Sequence, residues 1–146
     1  KSAFGVLAGD VLKCVVAVVF AGWLIGFMGK LVAGICVILG HMFPVFFGFK
    51  GGKGVLTTAA LILTLDWRIF LIGIGLFIII VLATKYVSLG SMAGVSVVPI
   101  CVYFFYDGNW WFVGATLLIA AIVIFMHRSN IKRLVEGTES RFKLKK

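Results

Sequence analysis

Six apolar runs separated by short polar breaks are the feature that most constrains how this chain folds. A helix that crosses a bilayer needs about 20 predominantly apolar residues, and most of the runs approach that length. The runs lack the period-two alternation of transmembrane strands. The sequence therefore predicts an all-α, polytopic integral membrane helical bundle with about six transmembrane helices. The predicted spans are Ala3–Gly26, Leu31–Phe47, Val55–Leu65, Ile69–Thr84, Val87–Tyr106 and Trp110–Met126. Tight polar turns are predicted at Gly29–Lys30, Asp66–Arg68 and Asp107–Asn109.

The composition also favours a membrane environment. Hydrophobic residues make up 62% of the 146 residues, whereas soluble domains have about 45–50%. A chain of this size has too little interior to bury the excess. We expect one transmembrane domain over residues 1–146, with a basic tail from about residue 136. Cys14, Cys36 and Cys101 lie within apolar runs, and no group of side chains has metal-ligand spacing, so neither a metal nor a cofactor is predicted.

The basic residues sort to one side of the predicted bundle. Of the 14 Lys and Arg residues, only Lys30 and Arg68 fall on the opposite side. Cytoplasmic loops carry the Lys/Arg excess of membrane proteins, so the glycine-rich loop near residue 50, the Lys85 loop and the C-terminal tail are predicted to face the cytoplasm. The net charge of +9 is thus attributed to anionic lipid headgroups rather than to nucleic acid.

Two local patterns predict packing rather than chemistry. Asp10 and Lys13 have the spacing of an ion pair on a helix. Three GxxxG pairs are predicted to let helices approach closely. These pairs are Gly5/Gly9, Gly22/Gly26 and Gly90/Gly94.

A glycine-rich loop separates the second apolar run from the third. Pro44 disfavours continuation of the second helix, and the glycines that follow permit backbone conformations closed to other residues. Consecutive N–H groups in such a loop can converge on an anion, and a helix starting near Val55 would aim its positive end at the same point. The glycines concerned are Gly51, Gly52 and Gly54.

The charge of this loop suits a phosphate group. Lys53 supplies a full positive charge next to the glycines, and Lys50 a second one. A basic turn that faces lipid headgroups explains the same residues, and the local sequence supports both interpretations equally. A nucleotide P-loop is excluded, because three residues rather than four separate Gly48 from Gly52 and because Gly54 replaces the Ser or Thr that would bind magnesium.

Four further polar residues lie on or near the same predicted face. His127 and Asn130 follow the sixth run, Ser88 begins the fifth, and His41 ends the second. If helix continues past His127, its side chain and that of Asn130 share one face and could orient a polar substrate. A histidine at a helix end is also common as an interface residue, and both interpretations remain open.

Two long motifs resemble those of a known enzyme family. Residues 40–54, GHMFPVFFGFKGGKG, match GHxFPxFxxFKGGKG, and residues 127–139, HRSNIKRLVEGTE, match HRxNIxRLxxGxE. Residues 86–91, YVSLGS, are similar to the serine loop between them. These motifs resemble the bacterial acyl-phosphate:glycerol-3-phosphate acyltransferases, the PlsY family, over essentially the whole chain.

The resemblance implies transfer of a fatty acyl group from acyl phosphate to glycerol-3-phosphate in the bacterial plasma membrane, giving lysophosphatidic acid. It implies seven spans, with the first span and a GSGNPGATN-like motif preceding Lys1, so we expect an N-terminally incomplete sequence. It implies that the glycines and lysines hold phosphate, that Ser88, His127 and Asn130 line the substrate site and that His41 supports it. The candidate catalytic residues are His127, Asn130, Ser88 and Lys53, and the candidate binding residues are Gly51, Gly52, Gly54, Lys50 and His41.

A small membrane transporter for an anionic or phosphorylated solute is the alternative. Such a protein needs polar residues at mid-membrane depth. The central parts of the six runs are nearly free of them, so the acyltransferase is the favoured hypothesis.

Overall fold

The computed structural model describes residues 2–45, 48 and 51–143. These residues form seven helices and no strand, which confirms the all-α prediction. The helices are α1 (Ser2–Ile25), α2 (Phe27–Met42), α3 (Val55–Leu65), α4 (Trp67–Thr84), α5 (Val87–Phe105), α6 (Trp110–Met126) and α7 (Arg128–Val135). Phe47, the predicted end of the second span, and Lys50 lie outside the described residues. The chain groups into two compact units, residues 1–68 and 69–146, and the expectation of a single domain stays a prediction.

The helices are those of a multi-pass membrane protein. Among the described residues, three helical segments are long and apolar enough to cross a bilayer, namely Ala8–Ile25 within α1, all of α4 and all of α5. The pair α6 and α7, bent by 57°, counts as a fourth if it is one span. All six predicted positions contain helix, but α2 and α3 have 16 and 11 residues and are shorter than a full span. By length and composition alone, the described helices thus support three or four spans, and α2 and α3 are shorter helices at two of the predicted span positions.

Exposed apolar residues cover the helices in the way that lipid contact requires. Large side chains such as Ile25, Ile79 and Phe104 are more than half exposed in the described part of the chain. All four tryptophans are exposed and lie close to a helix end. Tryptophan is enriched at the boundary between lipid and water, so these positions mark where helices leave the hydrocarbon region.

In the first unit, α1 packs against both α2 and α3. The break between α1 and α2 lies at Gly26 and not at the predicted Gly29–Lys30. Gly26 has a φ of 73°, a conformation that glycine adopts without strain, so the chain turns there and α2 restarts at Phe27. Lys30 lies inside α2, where its aliphatic stem packs over Gly22. Gly26 thus forms this turn, and Gly22 in α1 leaves room for the Lys30 side chain of α2.

In the second unit, close glycine contacts bring α4 and α5 together. A Cβ atom placed on Gly94 would lie 2.9 Å from the carbonyl oxygen of Gly73, and one on Gly90 would lie 2.9 Å from the carbonyl oxygen of Phe77. Only glycine permits helix backbones to approach so closely. This confirms the packing role predicted for Gly90/Gly94, whereas a Cβ on Gly5 or Gly9 would have no neighbour within 4 Å.

A tight turn joins α5 to α6 at the predicted Asp107–Asn109. Asp107 and Gly108 have φ values of 47° and 70°, and the Asn109 side chain accepts a hydrogen bond from the N–H of Phe112 at 3.1 Å. This N-cap satisfies one of the donors that the first turn of a helix leaves unpaired. The ring of Phe112 meets Tyr106 edge to face at 4.9 Å and is buried, so the cap and the packing fix the turn together.

Candidate functional site

The glycine-rich loop packs against the end of α2, and each of three glycines is required for a separate reason. A Cβ on Gly51 would collide with the carbonyl groups of His41 and Met42, and one on Gly52 would collide with the His41 imidazole. The N–H of Gly51 donates to the carbonyl of Met42 at 3.2 Å. Gly54 has a φ of 74° and contacts the Met42 side chain. The loop is therefore seated on the last turn of α2.

His41 connects this loop to α1. Its Nδ1 atom lies 3.4 Å from a carboxylate oxygen of Asp10, while the Nε2 edge of the ring faces Gly52. The other oxygen of Asp10 accepts a hydrogen bond from Lys13 at 2.5 Å, which confirms the ion pair predicted from the sequence. The imidazole is thus held between a carboxylate and the loop backbone, and its role in supporting the site stays a prediction.

The start of α3 presents a series of N–H groups beside the exposed Lys53 side chain. Among the described residues, nothing accepts a hydrogen bond from the N–H groups of Gly52, Lys53 or Gly54. The first N–H groups of α3, from Val55 onward, have no partner within the helix. The helix N-terminus and the ammonium group both favour negative charge. This arrangement suits an anion with several oxygen atoms, such as a phosphate.

A second set of side chains, the Glu139 cluster, surrounds one buried carboxylate and consists of Ser88, Asn130, Arg133 and Glu139. Ser88 Oγ and Asn130 Nδ2 both donate to Glu139 Oε1, at 2.7 and 2.6 Å. Arg133 Nε donates to Oε2 at 2.7 Å. The hydrogen bond from Ser88, then that from Asn130 and the charge of Arg133, lower the pKa of Glu139 from 4.5 to about 2 against the opposing effect of burial. The carboxylate is therefore ionised at neutral pH.

His127 lies at the break between α6 and α7. Its backbone closes α6 and opens α7, and its side chain is 2% exposed. Nδ1 lies 2.8 Å from the carbonyl oxygen of Val123. A carbonyl only accepts, so Nδ1 carries the proton and, in the neutral ring, Nε2 is the acceptor. The continuous helix considered in the sequence analysis is replaced by a bend of 57°.

The segment after α7 folds back onto the loop between α4 and α5. The N–H of Phe142 donates to the carbonyl of Lys85 at 2.7 Å. Arg141 donates to the Tyr86 hydroxyl at 3.3 Å, with its guanidinium 5.6 Å from the centre of that ring. At Arg141 and Phe142 this segment is therefore attached to the loop that directly precedes α5 and Ser88.

The structure groups the predicted residues within each unit. Gly51, Gly52, Lys53, Gly54 and His41 lie together in the first unit, and Ser88 and Asn130 share one carboxylate oxygen in the second.

The site residues predicted from the sequence lacked Glu139 and Arg133, and the contact of Asp10 with His41 was not predicted. Glu139 is one of only five acidic residues in a chain with 14 basic ones. An acidic residue in a basic segment was the available signal that it has specific partners.

These features define a polytopic helical membrane protein with polar clusters at its helix ends. A sequence profile described as glycerol-3-phosphate acyltransferase matches residues 1–137. Glycerol-3-phosphate acyltransferases from Thermoanaerobacter sp. (strain X514) and Geobacter sulfurreducens are 42% and 46% identical, covering 97% and 94% of this chain and 71% of each relative. The chain belongs to the glycerol-3-phosphate acyltransferase family.

Solved structures agree with this assignment. Crystal structures of PlsY, an integral membrane glycerol 3-phosphate acyltransferase, superpose with TM-scores of 0.88 for its lysophosphatidic acid form and 0.89 for its glycerol 3-phosphate form. Both are 32% identical in sequence, cover 98% of this chain, and are covered to 74% and 72% of their own length. The fold and the family are thus established by sequence and by structure.

Proposed function

We propose that this protein transfers a fatty acyl group from acyl phosphate to glycerol-3-phosphate, giving lysophosphatidic acid and inorganic phosphate. The observation that carries the proposal is the glycine loop, which combines a helix N-terminus, Lys53 and N–H groups for which no described residue is an acceptor. Both substrates carry phosphate, and related proteins of known structure are glycerol 3-phosphate acyltransferases. The reaction is an early step of phospholipid synthesis.

The chemistry requires positioning more than a nucleophilic side chain. In acyl phosphate the carbonyl is already activated, so the glycerol hydroxyl can attack it directly. A carbon–oxygen bond forms to glycerol, the bond between the acyl carbon and the phosphate oxygen breaks, and the hydroxyl proton leaves to a base. The protein has to align two phosphorylated molecules and neutralise their charge.

Each cluster has a separate role in this proposal. Phosphate is bound by the two lysines and three glycines of the loop, Lys50, Gly51, Gly52, Lys53 and Gly54. His41 supports this loop. Ser88, His127 and Asn130 contact the substrate. A lysine ammonium about 4 Å from a phosphate oxygen contributes roughly 4 kcal/mol at an effective dielectric of about 20, before the cost of desolvation.

The proposed location is the bacterial plasma membrane, with the glycine loop, the Lys85 loop and the C-terminal segment in the cytoplasm. The Lys and Arg excess on these segments supports this orientation. It also places the loop at the boundary where a soluble sugar phosphate and a membrane-embedded acyl chain can both arrive.

The Lys53→Ala substitution tests the proposal. We expect at least about a 100-fold loss of lysophosphatidic acid formation, because a charge aimed at phosphate is removed. The measurement uses labelled glycerol-3-phosphate and acyl phosphate with membranes that contain the full-length protein.

Lys132→Ala is the matched control. Lys132 is 76% exposed and has only a loose contact with Glu136 at 3.8 Å among the described residues, so its loss should leave activity within about twofold. Full activity of the Lys53 variant would contradict the phosphate role, and the absence of acyl transfer by the unmodified protein would contradict the proposed function.

A further inference from the structure

A cavity of about 390 Å³ lies beside the turn that joins α5 to α6. This aromatic cavity is lined by three aromatic side chains and two residues of the turn, namely Tyr103, Phe104, Trp110, Asp107 and Gly108. Its volume lies within the range of small-molecule sites, roughly 300–1,000 Å³. Ser88 is at the other end of α5, a helix of 19 residues, so at about 1.5 Å per residue the cavity lies roughly 20 Å from Ser88.

The three rings of the cavity are inclined to one another. The centroid of the Tyr103 ring lies 5.3 Å from that of Phe104 with an interplanar angle of 86°, and 5.9 Å from that of Trp110 with an angle of 59°. Rings inclined in this way do not cover one another as stacked rings do, and Phe104 and Trp110 are 71% and 73% exposed. The face of an aromatic ring carries partial negative charge, so open ring faces attract a cation.

Asp107 adds a full negative charge to the same cavity. The chain has five acidic residues and 14 basic ones. The other four acidic residues each form an ion pair, namely Asp10 with Lys13, Asp66 with Arg68, Glu136 with Lys132 and Glu139 with Arg133. Among the described residues, Asp107 has no ion-pair partner. A carboxylate without a cation therefore lies beside aromatic rings that also favour one.

The surroundings of the cavity indicate which kind of molecule carries the cation. α5 is long and apolar enough to cross a bilayer, and the cavity lies at its C-terminal end. Ile100, one turn before Phe104, and Trp111, next to Trp110, are 57% and 78% exposed. Tryptophan at a helix end is typical of the boundary between hydrocarbon and water, where lipid headgroups lie. A lipid can therefore place its headgroup in the cavity and its chains along these helices.

We propose that the aromatic cavity binds the headgroup of a zwitterionic phospholipid that ends in an ammonium group. The rings of Tyr103, Phe104 and Trp110 contact the ammonium group through their faces, and Asp107 supplies the counter-charge. The acyl chains lie along the exposed apolar sides of α5 and α6. This site is separate from the Glu139 cluster and does not depend on the proposed acyl transfer.

Native mass spectrometry of the full-length protein in detergent tests the assignment. The protein is titrated with phosphatidylethanolamine, which has an ammonium group, and separately with phosphatidylglycerol of the same acyl chains. Phosphatidylglycerol has no ammonium group and carries a net negative charge, so its binding reports on the basic residues instead. We expect substitutions in the cavity to weaken the first lipid and to leave the second unchanged.

Trp110→Leu removes the type of ring that attracts a cation most strongly and keeps an apolar side chain. It should weaken phosphatidylethanolamine binding by at least about threefold. Trp111→Leu is the matched control, because Trp111 is equally exposed and does not line the cavity, and it should change neither affinity. If Trp110→Leu does not fold, Phe104→Leu removes another exposed ring and should have the same effect.

Asp107→Asn tests the counter-charge. Asn is common at positive φ, so it can keep the φ of 47° found at residue 107. Loss of the carboxylate should weaken phosphatidylethanolamine binding by at least about twofold, as expected for an exposed ion pair. If the rings only anchor the helix ends at the membrane surface, this substitution changes nothing. That result would overturn the proposal, and so would an equal loss of affinity for both lipids.

Tetramethylammonium distinguishes a lipid from a free cation. It carries the positive charge without acyl chains, so it should displace phosphatidylethanolamine only when present in at least about 100-fold excess, since the apolar contacts of the chains are missing. Displacement at equal concentration would mean that the cavity selects a small free ammonium ion, and the assignment to a phospholipid would be wrong.

Discussion

At the scale of single residues, glycine is placed where any Cβ would disturb the candidate site. The contact between Gly52 and His41 is the clearest case, because the imidazole occupies the space that a side chain at residue 52 would need. The same ring lies 3.4 Å from Asp10, so it cannot move away without losing that contact. The position of the loop backbone thus depends on the absence of one methyl group.

Gly52→Ala should therefore reduce acyl transfer by at least about tenfold, equivalent to roughly 1.4 kcal/mol in the barrier. The added methyl group pushes the loop or His41 out of place. Lysophosphatidic acid formation at saturating substrate measures the effect.

Gly40→Ala is its matched control. A Cβ on this neighbouring glycine of α2 would have no atom within 4 Å, and alanine favours helix more than glycine does. Equal activity of the two variants would show that the contact between Gly52 and His41 does not position the loop.

At the scale of helices, the second unit depends on the contact of α4 with α5. The carbonyl oxygens of Gly73 and Gly94 each lie near the position of a Cβ on the other residue, at 2.9 and 3.1 Å. Both atoms belong to helix backbone, which cannot shift as a flexible side chain can. The first residues of α5 also hold Ser88 against Glu139, so the spacing of these helices affects the Glu139 cluster.

Gly94→Ala should destabilise the protein by about 1–3 kcal/mol, the usual cost of overpacking a close contact. This change is measured by thermal unfolding in detergent, with the loss of soluble protein on heating as the readout. Gly75→Ala on α4 is the control, since a Cβ there would have no neighbour within 4 Å. An unchanged unfolding temperature for the Gly94 variant would mean that the two helices separate without cost.

The sequence predicted helix positions best where strong signals flank them. The bounds of α3 and α6 match the prediction at both ends, because Gly54 and Asn109 precede them and polar residues follow. The predicted start of α2 was wrong, because Lys30 was assigned to a turn. In the structure Lys30 lies within α2, and the apolar stem of its side chain packs over Gly22.

The candidate site was only partly predictable for a similar reason. Its residues carry recognisable chemistry, but the contact of Ser88 with Glu139 joins positions 51 residues apart. Contacts of that kind depend on tertiary packing and leave no local pattern.

At the scale of the whole molecule, the exposed apolar surface and the terminal tryptophans require a bilayer. The distribution of Lys and Arg then predicts which end of each span faces the cytoplasm. A molecule in the opposite orientation would place most of its 14 basic residues outside the cell.

Cysteine accessibility measures this orientation. In a background with the exposed Cys36 replaced by serine, Asp107→Cys should react with an impermeant thiol reagent in intact cells. Lys132→Cys should react only after the membrane is opened. The reverse pattern would contradict the cytoplasmic placement of the glycine loop and the C-terminal segment.

The hydrogen bond between Ser88 and Glu139 has a consequence for how the protein is made. Ser88 precedes its partner Glu139 by 51 residues in the chain. The start of α5 is therefore synthesised before the carboxylate that accepts the hydrogen bond from Ser88. Likewise, the carbonyl group of Lys85 is synthesised before the N–H of Phe142 that donates to it. During translation these two hydrogen bonds are therefore missing, and a nascent chain released before residue 139 cannot assemble this cluster.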